Sequence, residues 1–474
     1  MSSNKYKKLL SDSLLFTISN FGSKVLVFFL VPLYTDILST EEYGIVDTIT
    51  SMTSLLMPVL TLLVYEAVLR FALDKSKDQH QVLSVGLVLI FASSLLMLVC
   101  APVAGLIRGQ WSFLGQYWLW LVAVYFCNSM NHCLSNYTRG LDKTKLFAVS
   151  GILYTAVLIA ANLLYLLVFK MGATGYLLAI LTADICCIFH KILWGGYAKK
   201  ILKLSFPKEL AKEMLQYSIP MIPSTVAWWV MQLSDKYVII GACGLAVSGI
   251  YSVSYKIPSI MSVITNVFTQ AWQVSAIKSH GDQDNTEFVS NVYNMVTMFV
   301  VAISSVLIFM CKHLGYILFQ ADFFVAWIYV PVLIVAYMFS GLSGVLASVY
   351  SAQKKTGMLF VSTSVGATLN IVLNILLIPR FGVMAAAYTT LLGFLVTWLV
   401  RTIHIRKLIR LQVKYMIHAA SFVLLMTQAV IFSMDLSWKY WVGLIVIAVQ
   451  VLLYLPQIRT ILGAATKLLF KKRG

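Results

Sequence analysis

Residues 82–107 read VLSVGLVLIFASSLLMLVCAPVAGLI, a run without one charged side chain. A helix needs about 20 apolar residues to cross the hydrocarbon core of a bilayer, and this run is long enough. Comparable blocks recur along all 474 residues, of which 60% are hydrophobic and 11% are charged. Soluble domains have about 25% charged residues, so this chain has too few polar side chains to cover a water-soluble globule. The sequence therefore predicts an all-α polytopic membrane protein.

The apolar blocks predict about fourteen transmembrane helices joined by short connections. The first block is too long for a signal peptide and contains Asn20 and Lys24 in its middle, so we expect it to be retained as a helix. The expected spans are 13–36, 44–70, 82–107, 113–137, 146–169, 172–196, 214–241, 248–275, 288–312, 324–350, 357–379, 382–405, 415–434 and 438–460.

Basic residues are concentrated in alternate connections. If the N-terminus is cytoplasmic, 27 of the 36 Lys and Arg residues lie on the cytoplasmic side, 5 lie on the opposite side and 4 lie within helices. Cytoplasmic loops of membrane proteins carry such an excess. The distribution predicts a multi-pass protein of the cell (inner or plasma) membrane with both termini in the cytoplasm. It also accounts for the net charge of +18 without nucleic acid, because no basic face with interleaved aromatic residues is found.

The chain contains a weak internal repeat with offsets of 210 to 213 residues. The clearest matches are Tyr137 and LDKTKLF (141–147) with Tyr350 and KKTGMLF (354–360), and FKMGATG (169–175) with PRFGVMA (379–385).

The repeat predicts two related six-helix bundles. We place them at 1–203 and 204–410, followed at 411–474 by helices 13 and 14 and a basic cytoplasmic tail. In transporters built from such repeats, the substrate binds near the midplane at the repeat interface.

Cysteine, histidine and glycine patterns exclude several kinds of site. The seven cysteines show no C-x-x-C spacing, and there is neither an H-E-x-x-H motif nor a Walker A loop. Asp282 and Asp284 lie in a short polar turn, GDQDN, of ordinary turn-forming residues. We therefore predict no catalytic residue, no metal site and no cofactor.

Ionisable side chains within the spans are the candidate functional residues, because a charge at the bilayer centre costs about 2.5–3.5 kcal/mol and normally faces a cavity or a partner. Lys24, Arg70 and Lys256 are candidate substrate-binding residues for an anion, which they would hold by charge-assisted hydrogen bonds. Two other interpretations of Arg70 stay open: pairing with Glu66 on the same helix face, or extension to the lipid headgroups.

Other charged residues are candidates for gating or ion coupling. Asp36, Asp235 and Lys236 lie near the outer ends of spans, where they either form a gate or mark helix ends. Asp184 lies within the sixth span, and one of Asp36, Asp235 and Asp184 is expected to take up a proton or a cation during transport. Lys191 in the same span is expected to extend to the headgroups.

Three segments carry a resemblance to a known family: EEYGIVDTITS (41–51), the Arg70-Phe71 pair, and LSDKYVIIG…SGIYSVSYKIPSI (233–260). They resemble the bacterial polysaccharide (O-antigen or capsule repeat-unit) flippases of the multidrug/oligosaccharidyl-lipid/polysaccharide exporter superfamily. The resemblance runs over nearly the whole chain. The family often has Asp-Arg where this chain has Asp235-Lys236, so a bidentate arginine contact is not expected here.

The resemblance implies a flippase that moves undecaprenyl-pyrophosphate-linked oligosaccharide from the inner to the outer leaflet by alternating access. Its implied partners are the lipid-linked oligosaccharide, membrane lipids and glycan polymerase machinery. One alternative is a cation-coupled drug or small-molecule exporter of the same fold, although such a pump would favour acidic cavity residues. Another is a membrane glycan polymerase or ligase, which would need a larger outer loop than any in this sequence.

Overall fold

The computed structural model describes residues 28–278, 285–353, 357–409 and 412–471. Within these ranges the chain forms nineteen α-helices and no β-strand. Ten helices are long and apolar enough to cross a membrane. The prediction of an all-α polytopic membrane protein is confirmed, and ten spans among the described residues are consistent with about fourteen in all.

The helices group into two compact units, of which unit 1 comprises Met1–Ser252 and Gln320–Asp322. Its described helices are α1 (Val31–Ile37), α2 (Thr40–Leu60), α3 (Val64–Ala72), α4 (Gln79–Val99), α5 (Ala101–Ala104), α6 (Phe113–Gly140), α7 (Thr144–Asn162), α8 (Gly172–Gly195), α9 (Ala198–Leu202), α10 (Lys208–Ser218), α11 (Ile222–Cys243) and most of α12 (Leu245–Ser254).

Unit 2 comprises Val253–Phe319 and Phe323–Gly474. Its helices are α13 (Lys256–Lys278), α14 (Asn285–Leu318), α15 (Val330–Ala352), α16 (Gly357–Phe381), α17 (Val383–Ile405), α18 (Tyr415–Ser433) and α19 (Lys439–Lys471). The bundle boundary expected at 203/204 describes a sequence repeat rather than packing, and it stays a prediction.

The second predicted span, 44–70, is not one helix but the pair α2 and α3. Leu62 and Leu63 between them have left-handed backbone angles, with φ of 53° and 56°. The break is stabilised by tertiary contacts, because Ser218 donates a hydrogen bond to the Leu62 carbonyl at 2.7 Å. Asn136 donates another to the Tyr65 carbonyl at 2.9 Å. Polar side chains thus bond to carbonyls beside the interruption, as an apolar environment requires.

The spans predicted at 214–241 and 248–275 are also interrupted. The first consists of α10 and α11 with a 3₁₀ turn at Ile219–Met221 between them. Pro220 and Pro223 lie at this turn, where proline is tolerated because the first residues of a helix need no N–H donor. The second consists of α12 and α13, which meet at Tyr255.

Unit 2 contains a cluster of charges where α14, α18 and α19 end or begin. Asp435 pairs with Lys312, at 2.9 Å, and with Lys439. Both ammonium groups lie 4.8 Å from the ring centroid of Trp327. Partial burial opposes ionisation of Asp435, but the two lysines outweigh it and lower the pKa of this carboxyl. The cluster therefore holds the connection between α18 and α19 against α14.

Candidate functional site

An ion pair joins α2 to α11 inside unit 1. The Nζ atom of Lys236 lies 2.7 Å from Oδ2 of Asp47. Ser252 on α12 donates a hydrogen bond of 2.7 Å to the same oxygen. Asp47 belongs to the first predicted repeat, whereas Lys236 and Ser252 belong to the second. The pair therefore links the two halves of the repeat.

Asp235, the neighbour of Lys236, has different partners. Its Oδ1 accepts the backbone N–H of Lys236 at 2.9 Å, and its Oδ2 accepts the hydroxyl of Tyr251 at 3.0 Å. The side chain is only 2% exposed. Because consecutive helix residues point about 100° apart, Asp235 and Lys236 bind separate partners. Together with Asp47, Tyr251 and Ser252 they form what we call the polar crossing.

Two glycines allow α2 and α12 to come close beside the polar crossing. A Cβ atom on Gly44 would lie 2.5 Å from the Leu245 carbonyl oxygen, and one on Gly249 would overlap the Thr40 carbonyl oxygen. Any larger side chain at either position would force the helices apart. The start of α2 is fixed by a capping box in which Ser39 and Glu42 exchange hydrogen bonds of 2.9 and 3.1 Å.

Aromatic side chains extend the α2–α11 contact. Tyr237 shares a hydrogen bond of 2.9 Å with Ser51, and the indole N–H of Trp229 donates to the Ser51 carbonyl at 3.1 Å. Trp111 stacks on Tyr237 with ring centroids 6.0 Å apart. These hydrogen bonds orient the rings, and such rings offer apolar faces for stacking on a sugar.

A second polar group lies between α6 and α8. Asp184 on α8 is fully buried, and its Oδ1 accepts a hydrogen bond from the Asn131 amide at 2.6 Å. Lys191, also on α8, is only 3% exposed and donates to the side-chain oxygen of Asn131. The expectation that Lys191 extends to the headgroups is wrong, because α6 supplies acceptors for its ammonium group inside the bundle.

Unit 2 contains a buried arginine, Arg401, which the sequence pattern groups with the basic residues of the connection that follows it. Arg401 lies in α17 and is 5% exposed. Its guanidinium donates to the Ser343 carbonyl at 2.8 Å, the Ser362 hydroxyl at 2.9 Å and the Thr363 hydroxyl at 2.9 Å. None of the ion pairs among the described residues involves Arg401.

The other sequence-predicted residues are not in these groups. Lys24 lies outside the described residues. Asp36 is exposed near the C-terminal end of α1. Arg70 is exposed on α3 and forms no salt bridge with Glu66 among the described residues, although the spacing of the two residues allows one. Lys256 begins α13 in unit 2 and is half-buried.

Sequence reasoning missed Asp47 as a functional candidate. It lies within EEYGIVDTITS (41–51), the segment that carries the family resemblance, and this was the available signal. In the parts of the chain that the structure describes, no three His, Cys, Asp or Glu side chains are grouped as a metal site. The polar crossing and the Asp184 group are instead suited to exchanging ion pairs and hydrogen bonds.

A model of the family described as "Polysaccharide biosynthesis protein" matches residues 9–274, more than half of the chain. The probable low-salt glycan biosynthesis flippase Agl15 of Haloferax volcanii is 22% identical over 257 residues. That alignment covers 51% of this chain and 53% of the archaeal protein. The chain thus spans about half the length of this curated relative.

Two kinds of solved structure share the fold. The lipid II flippase MurJ in an inward closed conformation aligns with a TM-score of 0.69 at 15% identity, covering 94% of this chain and 100% of MurJ. A multidrug resistance MATE family transporter of the MOP superfamily, facing inward, aligns with a TM-score of 0.64 at 13% identity, covering 82% and 94%. Identities this low show the fold alone. The chain is a multi-pass membrane protein that shares the fold of MurJ and of the MATE transporter, and by its family match it belongs to the polysaccharide biosynthesis protein family.

Proposed function

We propose that this protein is a flippase for lipid-linked glycan. Its cargo would be an undecaprenyl-pyrophosphate-linked oligosaccharide repeat unit of the O-antigen or capsule kind, which it moves from the inner to the outer leaflet. Membership of a polysaccharide biosynthesis family and the fold of a lipid II flippase support this activity. The similarity to a probable glycan biosynthesis flippase supports a glycan-bearing cargo.

The observation that carries the mechanism is the Asp47–Lys236 ion pair. It joins the two halves of the repeat at a close helix crossing, where Gly44 and Gly249 leave no space for a side chain. Alternating access requires contacts that form in one state and separate in the other. We assign the polar crossing to the outer gate, because the predicted topology puts this end of α2 and α11 on the outer side. Asp36, exposed at the end of α1, lies at the same predicted side.

Recognition of the pyrophosphate needs cations that are not already neutralised. Lys256 and Arg70 form no ion pair among the described residues, in contrast to Lys236. With Lys24, they remain the proposed contacts for the cargo's phosphates in a cationic cavity. Trp229 and Tyr237, with rings held by hydrogen bonds, are suited to sugars.

Resetting an empty carrier needs a second energy source besides the cargo. Asp36 is exposed, and Asp235 is bound by Tyr251, whereas Asp184 is fully buried inside the bundle. A buried carboxylate changes charge at a high energetic cost that its surroundings control. Asp184 is therefore the proposed coupling residue.

The fold is shared with a multidrug transporter, so drug export is the second candidate function. A cationic drug would need an acidic partner. Asp47 and Asp235, the acids of the polar crossing, already accept bonds from Lys236 and Tyr251. The geometry therefore favours an anionic cargo.

Deletion of the gene, followed by identification of the lipid-linked oligosaccharide that accumulates, tests the function. We expect the complete repeat unit to accumulate in the inner leaflet and to disappear when the wild-type gene is restored. Unchanged lipid-linked intermediates together with new drug sensitivity would overturn the flippase assignment and favour the exporter.

Coupling is tested with purified protein in liposomes that contain a lipid-linked oligosaccharide. Transport should respond to an imposed ion gradient and lose that response in Asp184→Asn. Equal rates with all gradients collapsed would show that Asp184 is not a coupling residue.

A further inference from the structure

Lys191 is surrounded by oxygen atoms of α6. Its ammonium group donates to the side-chain oxygen of Asn131, to the backbone carbonyl of Asn131 at 3.3 Å and to the Ser135 hydroxyl at 2.5 Å. A carbonyl, an amide oxygen and a hydroxyl are the ligands that hard metal cations take in proteins. An ammonium group has three N–H donors, and Lys191 directs them to these three oxygens.

The same amide connects the ammonium group to a carboxylate. Asn131 accepts from Lys191 through its oxygen and donates to Asp184 through its nitrogen, at 2.6 Å. The second oxygen of Asp184 makes no hydrogen bond of ordinary length within the described residues, although Asn128 lies near it. Asp184 and Lys191 lie two turns apart on α8, so Asn131 spans the gap between opposite charges.

Among the residues that the structure describes, the other titratable groups around Asp184 do not supply a second carboxylate. The groups that interact electrostatically with Asp184 or Lys191 are Cys127 and His132 on α6, Tyr154 on α7, and Cys187 and His190 on α8. A metal cation at Asp184 would therefore meet one carboxylate and the fixed positive charge of Lys191.

Unit 2 repeats the arrangement with a different cation. Arg401 follows Lys191 by 210 residues, the offset that relates 169–175 to 379–385. Its guanidinium also takes three oxygens from neighbouring helices, including the Ser343 carbonyl. Ser343 on α15 corresponds to Asn131 on α6 at an offset of 212. No acid pairs with Arg401 among the described residues.

We propose that Lys191 is a tethered cation that takes the place of a bound metal ion beside Asp184, so that Asp184 exchanges a proton and does not bind sodium. The coupling step moves one proton between water and the Asp184 carboxylate. Arg401 gives unit 2 a buried cation that forms no ion pair with an acidic side chain among the described residues. The inference that a proton is the coupling ion rests on the proposed function. The inference that Asp184 does not bind sodium is independent of it.

The test is thermal unfolding of the full-length protein in detergent at pH 8, with 100 mM sodium chloride or 100 mM choline chloride. The wild-type melting temperature should be the same in both salts. Lys191→Ala frees the oxygens of Asn131 and Ser135 beside Asp184, so sodium should raise its melting temperature saturably, by about 3 °C. The double variant Lys191→Ala/Asp184→Asn should lose that rise.

Lys200→Ala is the matched control, since Lys200 donates to the Tyr137 hydroxyl at 2.9 Å and does not contact the Asp184 group. Sodium should not change the melting temperature of Lys200→Ala. A folded Lys191→Ala protein that is indifferent to sodium would overturn the proposal. If Lys191→Ala does not fold, the wild type still decides, because sodium stabilisation that disappears in Asp184→Asn would also overturn it. These measurements use no cargo, so their failure differs from failure of the flippase assignment, which the accumulated oligosaccharide reports.

Discussion

Lys236 on α11 binds Asp47 on α2 with its Nζ atom 2.7 Å from Oδ2, although 189 residues separate them in the chain. Both side chains are largely buried. Removing one partner of a buried pair leaves the other charge uncompensated, which costs about 3 kcal/mol or more. We expect Lys236→Ala to lower the melting temperature and to reduce glycan export.

The exchange of the two charges is the control for that variant. Asp47→Lys/Lys236→Asp restores an ion pair at the same crossing, so it should recover most of the stability that either single substitution loses. Thermal unfolding and surface glycan are measured for the wild type, Lys236→Ala, Asp47→Lys, Lys236→Asp and the double variant. Wild-type values for Lys236→Ala in both assays would contradict a gating role for the pair.

Close approach of α2 and α12 gives a second prediction. Gly249→Ala introduces a methyl group that overlaps the Thr40 carbonyl oxygen, so the helices must separate and the polar crossing must loosen. We expect reduced export and a lower melting temperature. Gly241→Ala is the matched control, because a methyl group there meets nothing within 4 Å. Equal effects of the two substitutions would show that helix crossing is not the cause.

Different parts of the molecule were predictable to different degrees. Apolar runs such as 382–405, which forms the helix Val383–Ile405, predict helices well, because burial in lipid dictates their length and composition. The break at Leu62 and Leu63 was not predictable, since no glycine marks it and its stability comes from Ser218 and Asn136, which are distant in sequence.

The candidate site was predictable only in part. Asp235, Lys236 and Asp184 stand out as charges within apolar runs, but a sequence does not show which partners they meet. Asp47 and Asn131 supply those partners. Arg401 was missed because a basic residue near a helix end has the same pattern whether it faces water or the bundle.

The proposed cationic cavity predicts a graded effect at Lys256. Lys256→Glu should abolish export while membrane abundance stays near normal, because a negative charge repels the pyrophosphate without disturbing an ion pair. Neutral Lys256→Gln should be intermediate. Surface glycan and protein abundance are measured together. Arg380→Glu is a control for charge reversal at an exposed site of unit 2, and equal loss in both would argue against a specific cargo contact.

Asp435 predicts a dependence of stability on pH. Its pKa is lowered in the folded protein by Lys439 and Lys312, so the ionised form stabilises the fold at pH values above the ordinary carboxyl pKa of 3.8. That contribution is lost as the pH falls through the lower, folded-state pKa. We expect Asp435→Asn to melt below the wild type at pH 7 and the difference to shrink below about pH 4. A difference that is constant with pH would assign the effect to lost hydrogen bonds.

The charge asymmetry of the connections predicts the topology, and with it the side on which the polar crossing opens. Because the predicted spans put 27 of the 36 basic residues on one side, both termini and the connection from Lys199 to Glu213 should be cytoplasmic. Single cysteines at Ser3 and Gly474, in a background without the seven native cysteines, should resist impermeant thiol reagents in intact cells and react after permeabilisation. A cysteine at Arg108, which is exposed and predicted to lie outside, should react without permeabilisation. Labelling of one terminus in intact cells would exclude an even number of spans with a cytoplasmic N-terminus, and labelling of both would reverse the orientation and place the Asp47–Lys236 gate on the cytoplasmic side.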